Sequence, residues 1–320
     1  MPGRGSSQPE LRRRGRSQQT AAMKTARWVI GAAVLALSGC GKLDELTYQP
    51  PTTAQQWCEQ MPCVDVGSTV VNQPLGTTLV FLLAALWVAA GVYFLVTRRS
   101  QRSRVWLGIA LVLGGVGAAQ AGISYQAFSY VLKCQGRQYC ILTDGYEVGY
   151  SITQALSVSA MLTAVAFACT TGTLRKVLIW YSALNAAIYV VISVIGVMAP
   201  SAFLLSFNVL MLFAVPGIII VIVVSARRYR QTHDAMDKSL VIAAALLILV
   251  QIAYYAYYAA GITATLWNNG KGFYFSENDV LHIGMIIWLA YVVFAVGKRL
   301  RDTQSIATAP DATAAAAPQQ

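Results

Sequence analysis

The chain has 320 residues, of which 56% are hydrophobic and 12% charged, and it carries a net charge of +11. Soluble domains usually hold about 25% charged residues, so this composition, with a mean hydropathy of +0.54, excludes a soluble protein. It leaves one membrane domain with short tails, because no polar stretch is long enough to bury a core of its own.

Seven basic residues (Arg4, Arg12, Arg13, Arg14, Arg16, Lys24 and Arg27) precede Trp28, against Glu10 alone. Within that segment Met23 offers a second start, followed by Lys24, Arg27, the apolar run Trp28–Leu37 and then Ser38-Gly39-Cys40. A short basic region, a brief apolar one and small residues before a cleavage point describe a secretory signal. The apolar run is too short to span a bilayer. Leu37-Ser38-Gly39-Cys40 resembles the bacterial lipobox at all four positions. That resemblance implies that Cys40 becomes the mature N-terminus and carries acyl lipid such as palmitate. A signal anchor with an incidental cysteine is the alternative, and translation from Met1 or from Met23 stays open.

Seven apolar stretches follow, at 75–97, 105–130, 150–172, 176–199, 201–226, 239–265 and 279–297. Each approaches or exceeds the ~20 residues that a helix needs to cross hydrocarbon. Backbone in lipid must satisfy itself, so these runs read as helices. Ala199-Pro200-Ser201 is expected to form a tight hairpin between the fourth and fifth, because proline lacks an N–H donor. Pro216 is expected to kink the fifth.

Loop charges give the sidedness. Arg98, Arg99, Arg102, Arg104, Arg175, Lys176, Arg227, Arg228, Arg230, Lys238, Lys298, Arg299 and Arg301 fall on one side, and only Lys42, Lys133, Arg137 and Lys271 on the other. Thirteen against four is a strong positive-inside bias. It is an orientation signal that leaves no role for nucleic acid as a partner. The expected fold is therefore an all-α integral membrane protein, a seven-transmembrane-helix bundle with its N-terminus outside and its C-terminus cytoplasmic, in a bacterial plasma (inner) membrane. Residues 1–39 read as an upstream extension and lipoprotein signal peptide, 40–74 as an extracytoplasmic segment, 75–299 as the membrane domain and 300–320 as a disordered cytoplasmic tail.

Of six cysteines, Cys40 is assigned to lipid and Cys169 to the third span. Cys58 and Cys63 fall in the outer segment, and Cys134 and Cys140 in the outer loop between spans two and three. Two close pairs in an oxidising compartment suggest two disulfides. Pairing within each segment is simplest, cross-pairing is open, and a soft-metal site is the rival.

Ionisable groups at membrane depth are functional candidates by default. His282 lies about one turn inside span seven, with Asp279 three residues earlier on the same face and Glu277 and Asn278 before it. Asp144 and Glu147 mark the outer start of span three. These groups are expected to converge on one outer-facing polar pocket, and the competing reading has Asp279 and Glu147 serving their own helix ends. Gln120, Gln154, Asn185, Asn208 and Gln251 are expected to join helices. Gly114-Gly115-Val116-Gly117 is expected to let span two approach a neighbour closely. The run Tyr254-Tyr255-Ala256-Tyr257-Tyr258 reads as an interfacial belt or as a cavity lining.

The layout, with Phe275-Ser276-Glu277-Asn278-Asp279-Val280-Leu281-His282 in span seven and Gly122-Ile123-Ser124-Tyr125-Gln126 closing span two, resembles the CREST seven-helix superfamily of alkaline ceramidases and progestin and adiponectin receptor relatives. It also resembles bacterial seven-helix membrane proteins without assigned chemistry. The CREST resemblance implies a zinc hydrolase acting on lipid, and of its site residues Ser124 and His282 carry over. That family uses three histidines, and this chain holds two, with His233 in a basic loop. No lysine within a span offers a Schiff base for retinal, no base neighbours a serine, and no phosphate-binding glycine loop occurs. The expected function is binding of a small ligand or protein partner, alongside membrane lipid, at the outer face, without a cofactor, a metal or enzymatic activity. The alternatives are a CREST-like metallohydrolase and a transporter or membrane-complex assembly subunit; the absence of an inverted repeat weakens the transporter.

Overall fold

The computed structural model describes residues 40–268 and 272–303. The expected signal segment at 1–39 and most of the expected C-terminal tail lie outside them. In chain order the elements are α1 (Cys40–Leu43), α2 (Ala54–Gln60), β1 (Cys63–Val66), β2 (Thr69–Asn72), α3 (Pro74–Val96), α4 (Arg102–Ala121), α5 (Ser129–Lys133), α6 (Gly145–Cys169), α7 (Gly172–Met198), α8 (Phe207–Thr232), α9 (Ala235–Ala259), α10 (Ile262–Asn268), α11 (Glu277–Tyr291) and α12 (Gly297–Arg299). A π turn over Gly122–Ala127 extends α4, and another over Val292–Val296 joins α11 to α12.

Seven of these helices are long and apolar enough to cross a membrane: α3, α4 with its π turn, α6, α7, α8, α9, and α11 through α12. The protein is a multi-pass helical membrane protein. Spans one, two, three, five, six and seven close a ring, each packed on the next, and span four lies against span three and more thinly against span five. Span three is the hub, 67% buried over its most apolar window, whereas span six is 11% buried. The exposed Leu184, Val191, Leu212, Ile219, Leu249 and Ile252 are the lipid-facing surface that such peripheral helices require.

Spans one and two approach backbone to backbone at two points. A side-chain carbon added at Gly91 would lie 2.8 Å from the Gly108 carbonyl oxygen, and one at Gly115 would lie 2.9 Å from the Ala84 carbonyl oxygen. Thr153 donates to Gln120 at 3.3 Å and Asn185 to the Phe213 carbonyl at 3.1 Å, joining spans two to three and four to five. The main core fills the ring with Trp87, Phe94, Leu111, Ala168, Trp288 and Val292.

Residues 42–73 fold into a cap over one end of the bundle. The two cysteine pairs are the local disulfides Cys58–Cys63 and Cys134–Cys140, so the soft-metal reading of these thiols is set aside. The cap is nevertheless sewn to the 134–142 loop by backbone bonds: Cys140 donates to Thr52 O at 2.8 Å and Leu142 to Leu46 O at 2.7 Å. Trp57, the Cys134–Cys140 bridge, Tyr48 and Tyr130 form one small shared core. A segment too short for a core of its own therefore borrows half of one from the loop.

Three expectations need correction. The fourth-to-fifth connection runs from Ala199 to Ser206, beyond the expected Ala199–Ser201, and span five begins at Phe207. Its apolar residues serve packing: Leu205 sits on Gly196 and joins the cluster of Leu43, Val148 and Val197. Span three starts at Gly145 in place of 150, because Asp144 caps it by accepting from Tyr146 N and Glu147 N. Within the expected tail, residues 301–303 pack on the bundle: Asp302 accepts from Arg102 N and Ser103 N, each at 2.8 Å, capping α4, while Thr303 N donates to the Phe167 carbonyl at 3.0 Å. Span five passes through Pro216 as a single helix. Asp302→Ala is expected to cost about 1 kcal/mol, the usual value of an N-cap, seen as a Tm loss of about 2–4 °C in detergent; an unchanged Tm would show the tail contact to be idle.

Candidate functional site

The cap end holds three separate polar groups, and the π turn of span two determines the first two. An α-helix would carry Ser124, Tyr125 and Gln126 onward at its regular pitch. Here Phe128 N donates to Ile123 O at 2.9 Å, a five-residue step that widens the turn. Ser124 is thereby set against span three, Tyr125 stands under the cap loop, and Gln126 lies beside span one.

The first group centres on Lys133, whose side chain is 1% exposed and forms an ion pair with Glu147, itself 7% exposed. The ammonium also donates to the Tyr48 hydroxyl at 3.3 Å and the Leu142 carbonyl at 3.4 Å. It lies 5.0 Å from the Tyr125 ring centroid, 5.7 Å from that of Trp57 and 5.8 Å from that of Tyr48, a cation–π cage. Ser124 donates to Asp144 and lies 3.2 Å from Glu147 Oε1. Burial alone would drive the ammonium to give up its proton, but the charge of Glu147 and its hydrogen bond hold the Lys133 pKa above the ordinary lysine value. Burial raises that of Tyr48 against the pull of the Lys133 charge, and the hydroxyl stays a neutral acceptor. This network is closed on itself: each ion has its counter-ion or helix end, and Ser124 is engaged by a carboxylate with no imidazole beside it.

The second group surrounds Gly76. Asp279, three residues into α11, forms a capping box with Ser276, accepting from Ser276 N at 2.6 Å and Ser276 Oγ at 3.0 Å through Oδ2. Its other oxygen, Oδ1, is buried without a partner, as are Gln73 Oε1, Gln126 Oε1 and His282 Nδ1. A carbon added at Gly76 would lie 3.0 Å from Asp279 Oδ1, 3.4 Å from Gln126 Cγ and 3.5 Å from Gln73 Oε1.

The third group is an open cleft of about 470 Å³ where the cap meets the ends of spans six and seven. Glu59, Tyr258, Thr263, Trp267 and Glu277 line it. Glu277 accepts from Thr263 Oγ1 at 3.0 Å, and Trp267 donates to the Glu59 carbonyl at 2.9 Å, tying α10 to the cap. Tyr258 thus lines an open cleft, while Tyr257 donates to the Phe275 carbonyl at 2.8 Å.

The single pocket expected from the sequence is therefore divided. Ser124, Asp144 and Glu147 come together around Lys133; Asp279 stands with Gln73 and Gln126, with His282 buried one turn deeper; and Glu277 faces the cleft. Lys133, Gln73, Gln126, Tyr48 and Trp57 were not among the expected site residues. Lys133 had a signal, as one of few basic residues on the side poor in them. Among the described residues no group of three His, Cys, Asp or Glu side chains is placed to hold a metal ion. No protein-family model and no curated protein matches the chain, so the geometry alone carries the functional reading.

Proposed function

We propose that the chain is a non-enzymatic binding protein of the bacterial plasma membrane, with its cap outside, its basic end in the cytoplasm and Cys40 lipidated. Its ligand is an organic cation received in the cleft between the cap and spans six and seven. The observation that carries this reading is the lining: two acidic residues, Glu59 and Glu277, together with the aromatic residues Tyr258 and Trp267, with no basic residue among the described lining residues. Aromatic faces flanked by carboxylates are the chemistry that receives an ammonium group. The closed Lys133 network supports it from the other side, since charges already satisfied internally hold a cap in place and leave little to attack a substrate. The metallohydrolase alternative draws no support from Ser124, which is bound to Asp144, or from His282, which among the described residues belongs to no group of three possible metal ligands.

The test uses the full-length protein in lipid nanodiscs, titrated with choline and with its uncharged carbon isostere dimethylbutanol, following tryptophan fluorescence. Saturable binding of choline alone is expected, weakened at least about tenfold, or 1.4 kcal/mol, by Glu277→Gln. Equal binding of the isostere, or no saturable binding of either, would overturn the reading.

A further inference from the structure

We propose that Gln73, Gln126 and Asp279 hold a small monovalent metal cation between the outer ends of spans one, two and seven. The three residues come from separate elements: the residue before α3, the π turn ending span two, and the first turn of α11. They are 6%, 3% and 0% exposed, and each has a buried side-chain oxygen without a hydrogen-bond partner. A buried acceptor without a donor is costly, and more so if it is charged. Two of the three, Asp279 Oδ1 and Gln73 Oε1, border one glycine that Gln126 also reaches through its Cγ, an unusual debt unless something positive sits among them.

The space is created by Gly76. Its missing side chain leaves a small gap in which a methyl group would be crowded, bordered by Asp279 Oδ1 at 3.0 Å and Gln73 Oε1 at 3.5 Å from where a Cβ would stand. Among the described residues Asp279 forms no ion pair with Lys, Arg or His, so no side-chain cation already fills the role. An all-oxygen donor set suits a hard metal ion, and a single carboxylate neutralises one charge. A divalent ion would ask for more carboxylates and six to eight oxygens, as calcium does. Gln73 is held for this position in a left-handed conformation, φ 43°, by its N–H bond to the Pro62 carbonyl at 3.2 Å. The bound ion would thus tie the cap to three spans. This proposal stands apart from the organic-cation cleft, sharing none of its residues.

The full-length protein in nanodiscs is melted in sodium chloride, potassium chloride and caesium chloride at equal ionic strength, and binding of radioactive sodium is measured directly. Sodium or potassium, and not the large caesium ion, is expected to raise the Tm by about 5–10 °C at a hundredfold excess over Kd. Gly76→Ala, which fills the space, and Gln126→Met, which keeps the volume and removes a ligand, are each expected to abolish the difference between salts while leaving choline binding intact. Identical melting in all three salts would overturn the proposal, whether because an amide NH2 turns onto Asp279 or because a proton takes the ion's place. A salt response that survives both variants would overturn it equally.

Discussion

Replacing Lys133 by methionine is expected to cost roughly 3–5 kcal/mol of stability, a Tm loss on the order of 10 °C, and to loosen the cap. The methionine would fill most of the volume among the rings of Tyr48, Trp57 and Tyr125. It would leave Glu147 buried without its counter-ion, beside Asp144 and sharing Ser124 with it. Breaking one side of a buried pair costs far more than the pair itself contributes. The double variant Lys133→Met with Glu147→Gln is therefore expected to recover most of the loss, and a double-mutant cycle reads the coupling. The ammonium's raised pKa has a matching sign. Its contribution is complete below the ordinary lysine pKa and is lost as pH rises through the raised one, so neutral buffers leave it intact. Amide exchange in residues 42–73 should quicken in the single variant, since Lys133 also holds Tyr48 and the Leu142 carbonyl. A loss under about 1 kcal/mol, with unchanged exchange, would show that the cap is held by its backbone bonds alone.

The spans were legible because hydrocarbon imposes a length and a composition that few other environments do. The local disulfides were legible for a similar reason: four or five residues between cysteines make the local pairing the simplest. The polar groups were harder. Asp279 and Glu147 both sit at the start of a span, and the sequence has no means of showing that the π turn sends Ser124 to one and Gln126 to the other. A π turn arises when tertiary contacts outweigh regular pitch, and it leaves no local periodicity to read. Lys133 was visible only as a charge on the side with few of them. Its burial depends on a cap that acquires a core by sharing Trp57 with the Cys134–Cys140 loop. Leu204 and Leu205 were read as membrane because hydropathy does not separate a residue facing lipid from one packed beneath a cap.

Gly108→Val is expected to be the most damaging small change within the spans, costing about 3 kcal/mol or more. A carbon at Gly108 would stand 2.9 Å from the Gly91 carbonyl oxygen, and one at Gly91 2.8 Å from the Gly108 carbonyl oxygen and from Val112 N. Leu95 Cγ at 2.8 Å and Val112 Cγ2 at 2.7 Å crowd the same two positions, and even if those side chains swung aside the backbone oxygens would remain. In lipid the exclusion of apolar surface from water does not press helices together, and close van der Waals contact between small residues carries much of the association. Forcing α3 and α4 apart would forfeit that contact along the Gly91–Gly108 and Gly115–Ala84 approaches together, because both lie on one helix pair. Gly91→Ala added to Gly108→Val is accordingly expected to cost much less than the sum of the two, the gap having already been opened. Val116→Leu supplies the contrast: Val116 adjoins Gly115 but is 41% exposed, and its substitution should stay within about 0.5 kcal/mol. Thermal unfolding of the three variants in the same detergent reads the difference, and a Gly108→Val protein as stable as the Val116→Leu protein would remove spans one and two from the rigid centre of the bundle.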